Sequence, residues 1–126
     1  MPWNLTSDRP IFAQIIEIMQ LNIVSGKYTP GDKLPSVREL ATEAAVNPNT
    51  MQKALSELER SGLVYSKRTS GRFITEDLNR IEGVKATLAG EKIKSFLQSM
   101  QSLGFDKEET ISLINQTLET MKGDTP

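Results

Sequence analysis

Between Asn47 and Lys53 the chain gathers Asn47, Asn49, Thr50, Gln52 and Lys53 into one short polar stretch. The carboxamides of Asn and Gln can pair bidentately with adenine, while Lys and Thr suit a phosphate, a guanine or a thymine methyl. Further on, Lys67, Arg68 and Arg72 flank Ser70-Gly71, a basic turn narrow enough to reach phosphates or an adjacent minor groove. A solvated helix face would offer the same side chains at 47–53, so the second, basic group decides the direction. Residues 46–75 hold five basic residues (Lys53, Arg60, Lys67, Arg68, Arg72) against two acidic ones (Glu57, Glu59), on a chain of net charge -1. One face is therefore expected to meet a polyanion.

Other chemistries are closed by composition. With no cysteine and no histidine, the chain has no disulfide, iron–sulfur or Cys/His zinc ligands, no thiol nucleophile and no imidazole base. No enzyme activity, cofactor or metal is expected. Glu108-Glu109 read as helix-start carboxylates that favour the macrodipole, and Met19, Met51, Met100 and Met121 as core fillers on apolar stripes. The 126 residues, 37% hydrophobic and 25% charged, fit one or two small soluble domains. No long uncharged apolar run or secretory n-region occurs, so neither a membrane span nor a signal peptide is expected. The missing cysteines fit a reducing cytoplasm.

Periodicity supplies the elements that must carry these groups. Pro10 introduces an apolar run from Ile11 to Val24, closed by Ser25-Gly26, whose glycine suits a left-handed helix end. Residues 28–35, with two prolines and a glycine, read as a structured loop. Ser36 and Glu39 have capping-box spacing before a short helix to about Ala44. After Ala45-Val46, Asn47-Pro48 starts a second helix to Ser61, with Met51, Ala54, Leu55 and Leu58 inward. Residues 63–66 and 72–75 read as two short strands around a turn at Gly71. This order, two helices with a tight turn and then a hairpin, is a winged helix-turn-helix, whose second helix enters the major groove.

From Asp77 to about Ser102 the pattern is helical again, and Asp106 to Glu109 repeats the capping-box spacing for a last helix. The stripe along this tail comprises Ile81, Val84, Leu88, Ile93, Phe96, Leu97, Met100, Ile111, Ile114 and Leu118. Two helices cannot enclose so wide a face, so these residues are expected to form a dimer interface. Trp3 precedes the first helix, and its neighbour is either another chain or the C-terminal helices. The expected division is a DNA-binding domain over residues 1–75 and a helical dimerisation region over 76–126, a mainly α fold with one small β-hairpin.

The strings Pro10-Ile-x-x-Gln14-Ile, Ser25-Gly-Lys-Tyr-x-Pro-Gly-Asp-Lys-Leu-Pro-Ser36-Val-Arg38-Glu-Leu-Ala41 and Val46-Asn-Pro-Asn-Thr50-x-x-Lys-Ala54 run on to Gly62-Leu. Together they resemble the N-terminal domain of GntR-family bacterial transcription regulators over roughly residues 9–75. The short two-helix tail resembles the YtrA-like subfamily, whose members lack a large effector-binding domain. The resemblance implies DNA contacts from Arg38, with Ser36 beside it, and from Asn47, Asn49 and Thr50, with Gln52 and Lys53 one step along. The family wing usually reads Gly-x-Gly-Thr-Phe-Val, whereas this chain has Thr69-Ser70-Gly71-Arg72-Phe73-Ile74. The first glycine is absent and Arg72 replaces the threonine, which shifts the expected contacts from backbone to the Arg68 and Arg72 side chains.

The reading is then a cytoplasmic homodimer that represses by binding a double-stranded inverted-repeat operator. A tail of this size has room for a small-molecule effector only between subunits. The rival is a winged helix that binds protein without specific DNA recognition. Salt-dependent binding to bulk DNA separates the two.

Overall fold

The structure, a computed structural model, describes residues 3–122. In chain order it holds α1 (Ile11–Val24), α2 (Val37–Ala44), α3 (Pro48–Arg60), β1 (Val64–Lys67), β2 (Gly71–Ile74), α4 (Leu78–Ser102) and α5 (Lys107–Lys122). Two compact units result, one ending at Lys85 and the other starting at Ala86. No helix among the described residues is long and apolar enough to cross a membrane.

In the first unit α1 lies on α3, because their apolar stripes recur at helical spacing. Ile15, Met19 and Ile23 of α1 meet Met51, Ala54, Leu55 and Leu58 of α3, and all are buried. Each large apolar side chain withdrawn from water contributes about 1.5–3 kcal/mol. Leu40, Ala41 and Ala44 of α2, with Leu34, Leu63, Val64 and Ile74, close the remaining sides. Gln14 is buried on α1, and its amide ties down the preceding arm. Its Nε2 donates to the Thr6 and Arg9 carbonyls at 2.8 and 2.9 Å, while Oε1 accepts from the Thr6 N–H at 2.8 Å. Trp3, expected against another chain or the C-terminal helices, instead packs half-buried against this core.

The hairpin is antiparallel, pairing Val64 with Ile74, Tyr65 with Phe73, Ser66 with Arg72 and Lys67 with Gly71. Residues 31–34, expected as loop, run along the free side of β2. Lys33 forms a bridge to Phe73, the Leu34 N–H donates to the Arg72 carbonyl, and the Ile74 N–H donates to that of Asp32, both at 2.8 Å. This stretch gives β2 a second neighbour and covers an edge that would otherwise stand open.

Helix α4 changes partners along its length. Ile81 is buried in the first unit's core and Val84 packs against it. These two residues, expected in the dimer interface, instead seal the winged unit. The helix carries Gly83 and Gly90, both exposed, where an added Cβ would meet nothing within 4 Å.

The second unit consists of the rest of α4 and α5. Gly104 (φ +97°) makes the turn, and a full capping box follows: Asp106 accepts from the Glu109 N–H at 2.8 Å, and Glu109 from the Asp106 N–H at 3.0 Å. Phe96, Met100, Leu113, Ile114, Thr117 and Leu118 line an apolar groove of about 340 Å³. Ile93, Phe96, Leu97, Leu103, Ile111, Leu118 and Met121 remain more than two-fifths exposed.

Candidate nucleic-acid interface

Helix α2 begins with a satisfied capping box. Ser36 Oγ accepts from the Glu39 N–H at 3.1 Å, and Glu39 Oε1 accepts from the Ser36 N–H at 3.0 Å. These bonds, the backbone one first, hold the Glu39 carboxyl below the usual glutamate range. Arg38 is exposed, and among the described residues it pairs with neither Glu39 nor Glu43. Ala45 turns the chain at φ 60°, a left-handed conformation that costs a non-glycine residue about 1–2 kcal/mol. The turn is closed by the Val46 N–H donating to the Ala41 carbonyl at 2.9 Å.

Asn47 then caps α3, its Oδ1 accepting from the Asn49 N–H at 2.7 Å, with Pro48 at the first helical position. That bond engages one lone pair of the oxygen and fixes the side chain over the helix start, leaving the Asn47 NH₂ as its donor toward a ligand. Asn49, Gln52 and Lys53 are exposed and Thr50 is half-buried. Lys53 lies back on α1, its Nζ 4.3 Å from the Phe12 ring centroid. Asn49 and Gln52 thus present whole carboxamides, apart from a 3.5 Å approach of Gln52 Nε2 to Ser56 Oγ.

The wing tip is a three-residue loop, Arg68-Thr69-Ser70, closed by the Ser70 N–H donating to the Lys67 carbonyl at 3.0 Å. Thr69 takes φ +67° itself, so the loop turns without the glycine that the family pattern has there. Gly71 takes φ +111°, and a Cβ on it would stand 3.1 Å from Lys33 Cε. Arg68 and Ser70 are exposed, and Arg68 has no ion pair among the described residues. Lys67 Nζ sits 4.9 Å from the Phe73 ring centroid, with that ring stacked on Tyr65.

Arg72 points elsewhere. Its Nε donates to Glu59 Oε1 at 2.8 Å, and the Ser66 hydroxyl donates to the same oxygen at 2.7 Å. The Arg72 side chain is 19% exposed. Expected among the DNA contacts, Arg72 instead spends its Nε–H, one step below the hairpin tip, on a carboxylate of α3. The bonds from Ser66 and then Arg72 hold the Glu59 carboxyl below its usual range. A depressed pKa contributes stability that is present above the unfolded value and is lost as pH falls through the folded one. The melting-temperature gap between the wild type and Glu59→Gln is therefore expected to be widest at neutral pH. It should begin to close where free glutamates titrate and vanish only below that range, as the pH falls through the lower folded value, a trend that a series of thermal melts checks directly.

Lys33 is a cation that sequence reasoning missed. It is exposed beside Gly71 and, with Ser36, Val37, Thr69 and Ser70, lines a groove of about 390 Å³ between the start of α2 and the wing tip. The four residues 31–34 are too few to reveal a strand by alternation. A second groove, of about 460 Å³, runs from Trp3, Leu5 and Ile11 to Ala44–Asn47 and Thr50, so the N-terminal arm adjoins the turn that aims α3.

Comparison with known proteins follows this geometry. The family model described as "Bacterial regulatory proteins, gntR family" matches residues 12–74. The chain is 40% identical over 119 residues to the HTH-type transcriptional repressor YtrA of Bacillus subtilis (strain 168), covering 93% of this chain and 91% of that protein. A GntR family transcriptional regulator from Listeria monocytogenes is similar with a TM-score of 0.83 and 40% identity, over 89% of this chain and 98% of that one. The AraR DNA-binding domain in complex with operator ORX1 is similar with a TM-score of 0.51 and 32% identity, over 60% of this chain and 92% of that one.

Proposed function

The chain belongs to the GntR family of bacterial regulatory proteins, and from that premise we propose that it is a homodimeric repressor of the bacterial cytoplasm that binds an inverted-repeat DNA operator. The family is one of transcription regulators, not of enzymes. The observation that carries the proposal is the first turn of α3: Asn49 and Gln52 stand in solvent, and among the described residues their side-chain amides meet only Ser56 Oγ, 3.5 Å from Gln52 Nε2. Arg38, Arg68 and Lys33 extend from the elements that meet at the neighbouring groove. Carboxamides on a helix start with cations at its margins match a split between base reading and phosphate positioning. The operator complex of the AraR domain supports this use of the fold.

In this reading Asn49, Thr50 and Gln52 face base edges, and Ser36, Arg38, Asn47, Lys53, Lys67, Arg68, Ser70 and Gly71 face the backbone or a flanking minor groove. The exposed apolar face of the second unit is covered by a second copy, and a small-molecule effector would lie in its groove between the subunits. Occupation of the operator then blocks transcription sterically. Twofold symmetry requires half-sites centred about 10 bp apart, or a multiple of that.

The test is enrichment of duplexes from a random pool by the full chain, followed by footprinting and a salt series. An inverted repeat should emerge, with log affinity falling linearly against log salt concentration. Inserting about 5 bp between its halves should abolish tight binding, since half a turn puts the second half-site on the opposite face. A pool that never enriches would exclude the proposal.

A further inference from the structure

The wing carries an arginine where the family pattern has threonine, and its surroundings give it a definite task. Strands of four residues form a hairpin that is marginal alone. Val64 and Ile74 anchor its base in the core, but the tip from Lys67 to Gly71 is exposed throughout. Ser66 and Arg72 are cross-strand partners one step below the tip pair Lys67 and Gly71. Both donate to one oxygen of Glu59, the penultimate residue of α3. A single carboxylate thus binds both strands at the same level and ties them to the helix that carries Asn49 and Gln52. The Arg72 bond is charge-assisted, partly shielded from water and short, the circumstances in which such a bond is strong.

We infer that Arg72 is a positioning residue, which fixes the wing on α3 through Glu59, and not a phosphate contact. The inference rests on the DNA-binding reading and adds to it a coupling between base-reading helix and wing. Arg68, without an ion pair among the described residues, is left to reach the backbone. For Arg72 to grip a phosphate through the same Nε–H it must first abandon Glu59, leaving a carboxylate facing the polyanion.

The two roles give effects of opposite sign at Glu59. Removing a carboxylate beside bound DNA, and freeing an arginine, tightens binding if Arg72 is a phosphate contact. If Arg72 is the brace, Glu59→Ala detaches the wing and weakens binding. The experiment measures full-chain affinity across a salt series for a duplex enriched by the wild type from a random pool. For Glu59→Ala we expect about a tenfold loss with the salt slope unchanged. Arg72→Thr should lose about as much, again at unchanged slope, and the double variant should be no worse than either single one. Tighter binding by Glu59→Ala, or a slope reduced by about one per protomer in Arg72→Thr, would overturn the inference. If Arg72→Thr fails to fold, Glu59→Ala decides by sign and slope together: weaker binding at an unchanged slope supports the brace, while tighter binding or a reduced slope overturns it. A wild type that enriches no duplex overturns the DNA reading itself, and the brace with it, so the two failures are distinguishable.

Discussion

Aspartate in place of both Leu97 and Leu118 is expected to yield a folded monomer whose affinity for the inverted repeat is lower by about 100- to 10,000-fold. The magnitude is that of losing the second attachment when two joined binding modules are separated. In the single chain these side chains are 48% and 55% exposed, so charging them costs the isolated protomer little. In a dimer they would be desolvated on a face that includes Phe96 and Ile114, where an unpaired carboxylate is strongly unfavourable. Sedimentation or light scattering reports the oligomeric state, fluorescence anisotropy the affinity, and circular dichroism the intact helices. A wild type that is monomeric at micromolar concentration would remove the basis for this expectation.

The second large effect separates residues that read from residues that hold. Asn49→Ala or Gln52→Ala should lose about 1–3 kcal/mol per bidentate pairing, about 5- to 150-fold, and only for duplexes that keep the matching base pair. Arg38→Ala and Arg68→Ala should weaken binding to all sequences alike and lower the salt slope by about one for each phosphate that is no longer neutralised. Affinities for a panel of single-base operator variants at two salt concentrations resolve both patterns. Equal, sequence-independent losses from all four substitutions would refute the division of roles.

Much of the fold is written in local signals. The Ser36/Glu39 and Asp106/Glu109 boxes, the Asn47-Pro48 start and the glycines after α1 and α3 each depend on residues within one turn, and each recurs in the structure at the expected place. What sequence could not show depends on partners far along the chain. Ile81 and Val84 continue the apolar rhythm of α4 without a break, so periodicity assigns them to the tail; packing assigns them to the winged core. Residues 31–34 become strand-like only because β2 offers a free edge. In the site, charge and amide content locate α3's first turn and the wing. They cannot distinguish Arg68, which is exposed, from Arg72, which is held by Glu59 across thirteen residues of sequence. Nor can composition show that the Asn47 oxygen accepts a bond from its own helix.

Helix α4 also fixes how the molecule opens on the timescale of amide exchange. Its first two turns are clamped by Ile81 and Val84, and Met100 lines the groove against α5. Between them Gly90 weakens the exposed helix by about 1 kcal/mol relative to alanine, and around it the exposed face offers little side-chain burial in return. Amides near Gly90 should therefore exchange by local openings of low free energy, well before those of Ile15 or Leu55, which wait for global unfolding. The helix is continuous in its hydrogen bonds, yet the protection of its amides is expected to be lowest around Gly90 and to rise toward either end.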